Sequence, residues 1–89
     1  MKRTYNNVAL ETILFTIPGN VKIIVEDWEE GKIHWTDVPE NNPVSVWEGL
    51  VKDFKMSGGN WKQSRSKVYH TEIRGDAILF RISTQFEEY

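Results

Sequence analysis

The chain has 89 residues, a formal net charge of −2, no cysteine, and a hydrophobic content of 39% that includes four tryptophans. This length predicts a single domain, 1–89, and is too short to scaffold a large buried catalytic cavity. The absence of cysteine excludes disulfides and thiolate metal sites, and the composition predicts a folded, cytoplasmic protein with no membrane-spanning segment.

Two runs rich in β-branched and aromatic residues begin the chain: NVALETILFTI (7–17) and NVKIIVED (20–27). This composition predicts two β-strands. Pro18-Gly19 suits the central positions of a type II turn, so we expect the two strands to pair antiparallel. A third run, KIHWTDV (32–38), follows Gly31, which we expect to supply the positive φ of a second hairpin turn.

The hydrophobic period changes after PENNP (39–43). Apolar residues then recur at i, i+3, i+4 and i+7, which predicts one amphipathic helix; they are Trp47, Leu50, Val51 and Phe54. Ser45 with Glu48 three residues later forms a capping box, and Asn42-Pro43 is an alternative start. Gly58-Gly59 predicts the end of this helix.

The last third contains the clearest hairpin, with Gly75-Asp76 as a two-residue turn between KVYHTEIR and AILFRISTQF. Alternation predicts a core face formed by Ile78, Phe80, Ile82 and Phe86 and a mostly solvated face that includes Leu79. The preceding NWKQSRS (60–66) is predicted to be a loop in which Trp61 folds back beneath the helix. The order βββαββ predicts an α+β fold: an antiparallel sheet of about five strands with one helix packed on one face.

Catalytic and metal-binding patterns are weak in this sequence. The two histidines, His34 and His70, lie in no nucleophile motif, so we predict neither an enzyme nor a cofactor. His70 and Glu72 share a strand face, and His34 on a neighbouring strand could complete a metal site with two histidines and one carboxylate. Because H-x-E arises readily by chance, a small metal-dependent enzyme is only a remote alternative.

Charge is unevenly distributed along the chain. Residues 26–53 contain eight acids and two lysines, a net charge of −6, whereas residues 55–81 contain six basic and two acidic residues, a net charge of +4. The leading hypothesis is a non-enzymatic protein-binding module that uses tryptophan anchors and carboxylates to occupy a partner's surface, including one that binds nucleic acid. Inhibitors, antitoxins, immunity proteins and phage-type regulators act in this manner. The predicted partner-binding residues are Trp28, Glu29, Glu30, Trp35, Asp37 and Trp61.

The basic segment 61–74 supports an alternative function, single-stranded nucleic-acid binding, in which cations contact phosphates and aromatic rings stack on bases. Its candidate residues are Lys62, Arg65, Lys67, Tyr69 and Arg74. The negative net charge and the lack of an RNP, KH or helix-turn-helix signature favour the protein-binding hypothesis. An exposed edge strand could also mediate a homodimer.

Overall fold

The computed structural model describes residues 8–84, except for the side chain of Glu30. Along this part of the chain the elements are α1 (Leu10–Leu14), β1 (Lys22–Asp27), a 3₁₀ helix (Glu30–Lys32), β2 (Ser45–Leu50), a second 3₁₀ helix (Val51–Asp53), α2 (Trp61–Arg65), β3 (Val68–Arg74) and β4 (Ala77–Ile82). The predicted α+β class is confirmed. No helix in residues 8–84 has the length and apolar character needed to cross a membrane.

The strands form one mixed sheet in the order β2-β1-β4-β3. β1 pairs antiparallel with β2, and β3 pairs antiparallel with β4, whereas β1 and β4 are parallel. The prediction of about five antiparallel strands is therefore wrong in strand number and direction for the described residues. Turn signals identify local hairpins, but the β1–β4 pairing joins segments about 55 residues apart, for which no local signal exists.

The stretch predicted as the first strand instead contains α1. Its apolar residues also recur at helical spacing, and they are Leu10, Ile13, Leu14 and Ile17. Leu10 and Leu14 are buried in the core, and the two isoleucines pack against it. The prediction relied on the β-branched composition of this stretch and overlooked its i, i+3, i+4, i+7 period. That period places these four side chains on the helix side that packs against the sheet.

Two predicted hairpin turns are also corrected. The backbone N–H of Val21 donates to the Pro18 carbonyl at 3.1 Å, so this turn links α1 to β1 and is shifted by one residue. Gly31 lies in a 3₁₀ helix, and residues 32–38, predicted to be the third strand, contain no strand. In residues 8–84, positive φ occurs at Gly75 (64°), which confirms the predicted Gly75-Asp76 hairpin.

The predicted central helix is wrong, because Ser45–Leu50 is an edge strand and Val51–Asp53 a 3₁₀ helix. Gly49 disfavours a helix interior, and the valines of this stretch suit a strand. The apolar residues of the predicted helix nevertheless contribute to the core: the rings of Trp47 and Phe54 meet edge-on, with their centroids 4.9 Å apart. Gly58-Gly59 ends no helix but precedes α2, which replaces the predicted 60–66 loop.

The two faces of the sheet are covered differently. One face, here called the helix face, packs against α1 and carries Val25, Phe80 and Ile82. The opposite face, the loop face, carries Glu26, Leu79 and Arg81 at alternating positions. Leu79 is fully buried, so the prediction that this face is mostly solvated is wrong. Ile82 and Phe80 confirm the predicted core face, and Phe86 lies outside the described residues.

Candidate protein-binding surface

The loop face is covered by the connection between β1 and β2, residues 28–44, here called the 28–44 loop. These two strands are antiparallel neighbours, which a turn of two to five residues could join. The connection instead has 17 residues and contains only one short 3₁₀ helix. Connections of this length are usually either functional or disordered. Backbone hydrogen bonds order this one, which makes it a candidate functional element.

Two apolar side chains fix the start of the 28–44 loop. Trp28 is only 3% exposed, and its backbone N–H donates to the Ile82 carbonyl at 2.8 Å. Ile33 is also buried. Trp28 lies on the loop face beside Arg81, where Leu79 is buried as well. Burial of these apolar side chains away from water holds the start of the loop against the protein.

Backbone hydrogen bonds give the 28–44 loop a regular form. Each bond spans three residues: Lys32 N–H donates to the Glu29 carbonyl, Trp35 to Lys32, Val38 to Trp35 and Asn41 to Val38, at 2.9 to 3.1 Å. The Asn41 side-chain amide also donates to the Trp35 carbonyl at 2.8 Å. These successive turns satisfy the backbone without strand pairing and hold the segment in one conformation.

Contacts to the sheet hold the loop at three further points. The His34 and Tyr69 rings meet edge-on, with their centroids 6.2 Å apart. Arg81 Nη1 donates to Thr36 Oγ1 at 3.4 Å. At the far end, Val44 N–H donates to the Asp27 carbonyl. The segment therefore runs from β1 to the β3 edge and returns across β4 to β2.

This arrangement leaves Trp35 on the outside of the protein, 59% exposed, although the residues on both sides of it contact the sheet. Glu29, Asp37 and Glu40 are exposed on the same loop. With Glu30, the loop has four acids against Lys32, a net charge of −3. Lys32 Nζ lies 3.3 Å from a Glu29 carboxylate oxygen. The loop thus presents one large aromatic ring in an acidic surface.

Beneath the loop lies a charged cluster centred on Glu26. Its Oε1 accepts from the Trp28 indole N–H at 2.9 Å and from Arg81 Nε at 3.0 Å. The Arg81 guanidinium also lies over the Trp28 ring, 5.9 Å from its centroid. The side chains of Glu26 and Arg81 are only 11% and 14% exposed. This pairing compensates both buried charges and supports the start of the loop.

The cluster extends to β3 through Arg74 and Glu72. Arg74 Nη2 donates to Glu72 Oε2 at 2.7 Å, and its Nη1 lies 3.7 Å from Glu26 Oε2. His70 Nε2 lies 2.9 Å from Glu72 Oε1. The hydrogen bond from His70, followed by that from Arg74, lowers the pKa of Glu72 from its ordinary 4.5 to about 2.

The metal site that the sequence suggested as a remote alternative, with His34, His70 and Glu72 as ligands, does not assemble in the structure. His70 does contact Glu72, but Arg74 occupies the same carboxylate, and His34 packs on Tyr69. Within residues 8–84, no three histidine, aspartate or glutamate side chains are grouped closely enough to hold a metal ion. The pairing of His70 with Glu72 is instead part of the ion network.

The structure divides the predicted partner-binding residues. Glu29, Trp35 and Asp37 are exposed on the 28–44 loop, and the Glu30 side chain lies outside the description. Trp28 is a buried support of that loop, so it cannot contact a partner directly in this conformation. Trp61 lies on α2, which packs beside α1 over the helix face, and at 51% exposure it does not fold back as predicted.

The predicted nucleic-acid residues are divided as well. Lys62 and Arg65 are exposed on α2, and Lys67 follows it. Tyr69 is half-buried, and Arg74 is engaged by two carboxylates. These last two residues lie on β3, so the set does not form one continuous basic surface.

Sequence reasoning missed Glu26, Thr36 and Arg81. A signal for two of them was present, because Glu26 and Arg81 each follow an apolar run in a central strand, at positions that a buried sheet would fill with hydrophobic side chains. No pattern identified Thr36, whose contact depends on the path of the loop. Comparison of the chain with models of protein families, with curated proteins and with solved structures found no match.

Proposed function

We propose that this protein is a non-enzymatic protein-binding module and that the 28–44 loop is its recognition element. The observation that carries the proposal is the exposure of Trp35 on a long loop whose backbone is held by successive turns. Exposed tryptophans on ordered supports are frequent anchors of protein interfaces, because a large apolar area is buried at low entropic cost.

The charge of the loop defines the complementary surface. An acidic loop that exposes Trp35 fits a basic partner surface that contains an apolar pocket for the indole. The carboxylates would chiefly accelerate association and discriminate against acidic proteins, whereas the indole would supply most of the affinity. Basic surfaces that bind nucleic acid have this chemistry, so a small cytoplasmic inhibitor, antitoxin, immunity protein or phage-type regulator is the proposed biological class.

The engagement of the two histidines supports binding over catalysis. His34 packs on the Tyr69 ring, and His70 is paired with Glu72. A hydroxyl nucleophile activated by histidine needs a hydrogen bond between the two groups, and neither imidazole has such a hydrogen bond within the described residues.

The test is affinity capture from the native host followed by titration of the captured protein. Trp35→Ala should weaken binding about 30-fold or more, which corresponds to about 2 kcal/mol for an anchor residue. The double variant Glu29→Lys, Glu30→Lys should slow association and reduce its salt dependence, with the melting temperature nearly unchanged.

Trp61→Ala is the matched control, because it removes an indole of similar exposure from the other side of the sheet. It should leave affinity for the captured protein unchanged. A partner that binds Trp35→Ala as tightly as the wild type, or that is lost with Trp61→Ala alone, would contradict the proposal.

A further inference from the structure

A second exposed aromatic surface lies on the helix side of the protein. A half-open groove of about 450 Å³ runs between α1 and α2 and is lined by Glu11, Phe15, Met56, Ser57, Trp61 and Arg65. Phe15 is 75% exposed and Trp61 51% exposed. Two large rings from two helices are thus open to solvent at one groove, here called the aromatic groove, and the fold does not need them for its core.

The local structure explains why both rings point outward. The helical stripe of α1 turns Leu10 and Leu14 inward, and Phe15, the C-cap residue that follows the helix, is exposed to solvent. In α2, Ser64 is the fully buried residue, and its hydroxyl lies 2.9 Å from the Trp61 carbonyl and 3.2 Å from the Met56 carbonyl. Trp61 is the first residue of α2, and its ring lines the groove.

The segment 55–67, which contributes one side of the aromatic groove, carries four cations and no acid. Arg65 lies over the Trp61 ring, with its guanidinium carbon 5.8 Å from the centroid. The neighbouring Lys62 and Lys67 are exposed, as is Lys55, whose backbone N–H donates to the Asn60 side chain just before α2. Of these four cations, Arg65 itself lines the groove, together with one carboxylate, that of Glu11.

From this arrangement we infer that the aromatic groove binds single-stranded nucleic acid, independently of the 28–44 loop. Bases would stack on Phe15 and on the open face of Trp61, while Lys62 and Arg65 would neutralise the phosphates. Glu11 fits this ligand, because base edges carry amino groups that can donate to a carboxylate. The carboxylate side chains of an acidic peptide offer no comparable donor to Glu11.

The surface differs from the predicted basic segment 61–74. It gains Phe15 from α1 and retains Trp61, Lys62, Arg65 and Lys67, whereas Tyr69 and Arg74 belong to β3. Exposed rings and cations that are distant in the sequence are therefore brought together only by the packing of α1 beside α2.

The experiment is a fluorescence-anisotropy titration of the intact protein with a labelled oligodeoxythymidine of about 12 nucleotides at low salt. We expect saturable binding with a Kd of tens of micromolar that weakens steeply with added salt, as counterion release requires. Trp61→Ala and Phe15→Ala should each weaken binding about tenfold or more, because stacking on one base contributes roughly that factor. Arg65→Gln should also reduce the salt dependence.

Trp35→Ala is the control from the loop face and should bind the oligonucleotide like the wild type. Far-UV circular dichroism of each variant checks that the fold is retained. No binding at about 200 micromolar protein in low salt would overturn the inference, and so would equal binding by wild type and Trp61→Ala. A glutamate-rich peptide that binds the same groove more tightly than the oligonucleotide would overturn it in favour of a protein ligand.

Discussion

At the scale of single residues, the pairing of Glu26 with Arg81 is the least expected feature of the fold. Each charge lies inside a strand whose other residues are mainly apolar, and both are almost covered by the 28–44 loop. An apolar pair could stabilise the protein as well, because desolvation offsets much of the Coulomb attraction. The charged pair has an additional effect, since it also bonds the Trp28 indole and Thr36, which lie on the loop itself.

The Glu72 carboxylate allows a test of the ion network by pH. Its pKa is lowered to about 2 by the hydrogen bonds from His70 and then Arg74. A carboxylate with a lower pKa in the folded protein than in the unfolded chain stabilises the fold above its unfolded pKa. This stabilisation should be complete above about pH 4.5 and lost as the pH falls towards 2.

The measurement is a carbon-13 NMR titration of the Glu72 carboxyl group, with urea unfolding at pH 6 and pH 3. His70→Ala should move the titration midpoint up towards 4.5 and make the urea midpoint less dependent on pH. Arg74→Gln should have the same effect to a smaller extent. A wild-type midpoint near 4.5, or one that His70→Ala leaves unchanged, would show that the His70 contact does not persist in solution.

At the scale of elements, the sequence identified structure where one local signal was sufficient. Gly75-Asp76 between two β-rich runs determines a hairpin without help from the rest of the chain, and β1 and β4 lie within predicted strands. The errors occurred where two periods competed. Residues 7–17 fit both a strand and a helix, and residues 45–54 did so too; in each case the element that pairs with or packs on the sheet prevailed over local preference.

The candidate sites were also predictable only where a local signal in the sequence was sufficient. Acidic charge and tryptophan content directed attention to residues 28–37, and Trp35 is indeed exposed there. Whether Trp28 or Trp35 is buried depends on the path of a loop with no periodic pattern. The aromatic groove was harder still to predict from the sequence, because the exposure of Phe15 follows from the helical conformation of the segment before it.

The assignment of α1 as a helix can be tested by comparing two neighbouring apolar residues. In a strand, Ile13 and Phe15 would share one face and be of similar importance. In α1, Ile13 packs against the core and Phe15 is exposed. We therefore expect Ile13→Ala to lower the free energy of unfolding by about 1–2 kcal/mol, and Phe15→Ala by less than about 0.5 kcal/mol.

Urea unfolding followed by circular dichroism measures both variants, with Leu14→Ala as the reference for a fully buried position. That reference should cost about 2–4 kcal/mol. Equal losses for Ile13→Ala and Phe15→Ala would favour the strand and remove Phe15 from the aromatic groove.

At the scale of the whole molecule, one sheet supports two unlike surfaces. β1 and β4 contribute Val25, Phe80 and Ile82 to the helix face and Glu26, Leu79 and Arg81 to the loop face. The 28–44 loop and the aromatic groove therefore lie on opposite sides of the same two strands. Because the core of each side depends on these central strands, neither side should remain folded when the other unfolds.

The last prediction concerns this cooperativity and uses the two tryptophans that lie inside the protein. Trp28 is buried on the loop face, and Trp47 packs edge-on with Phe54 on the helix face. In variants that retain only one of them, with the other three tryptophans replaced by phenylalanine, the fluorescence and circular-dichroism midpoints in urea should coincide. A Trp28 transition that precedes loss of secondary structure, with Trp47 coincident, would show that the 28–44 loop unfolds separately. The loop would then order upon binding, and its affinity for a partner would be reduced by the cost of that ordering.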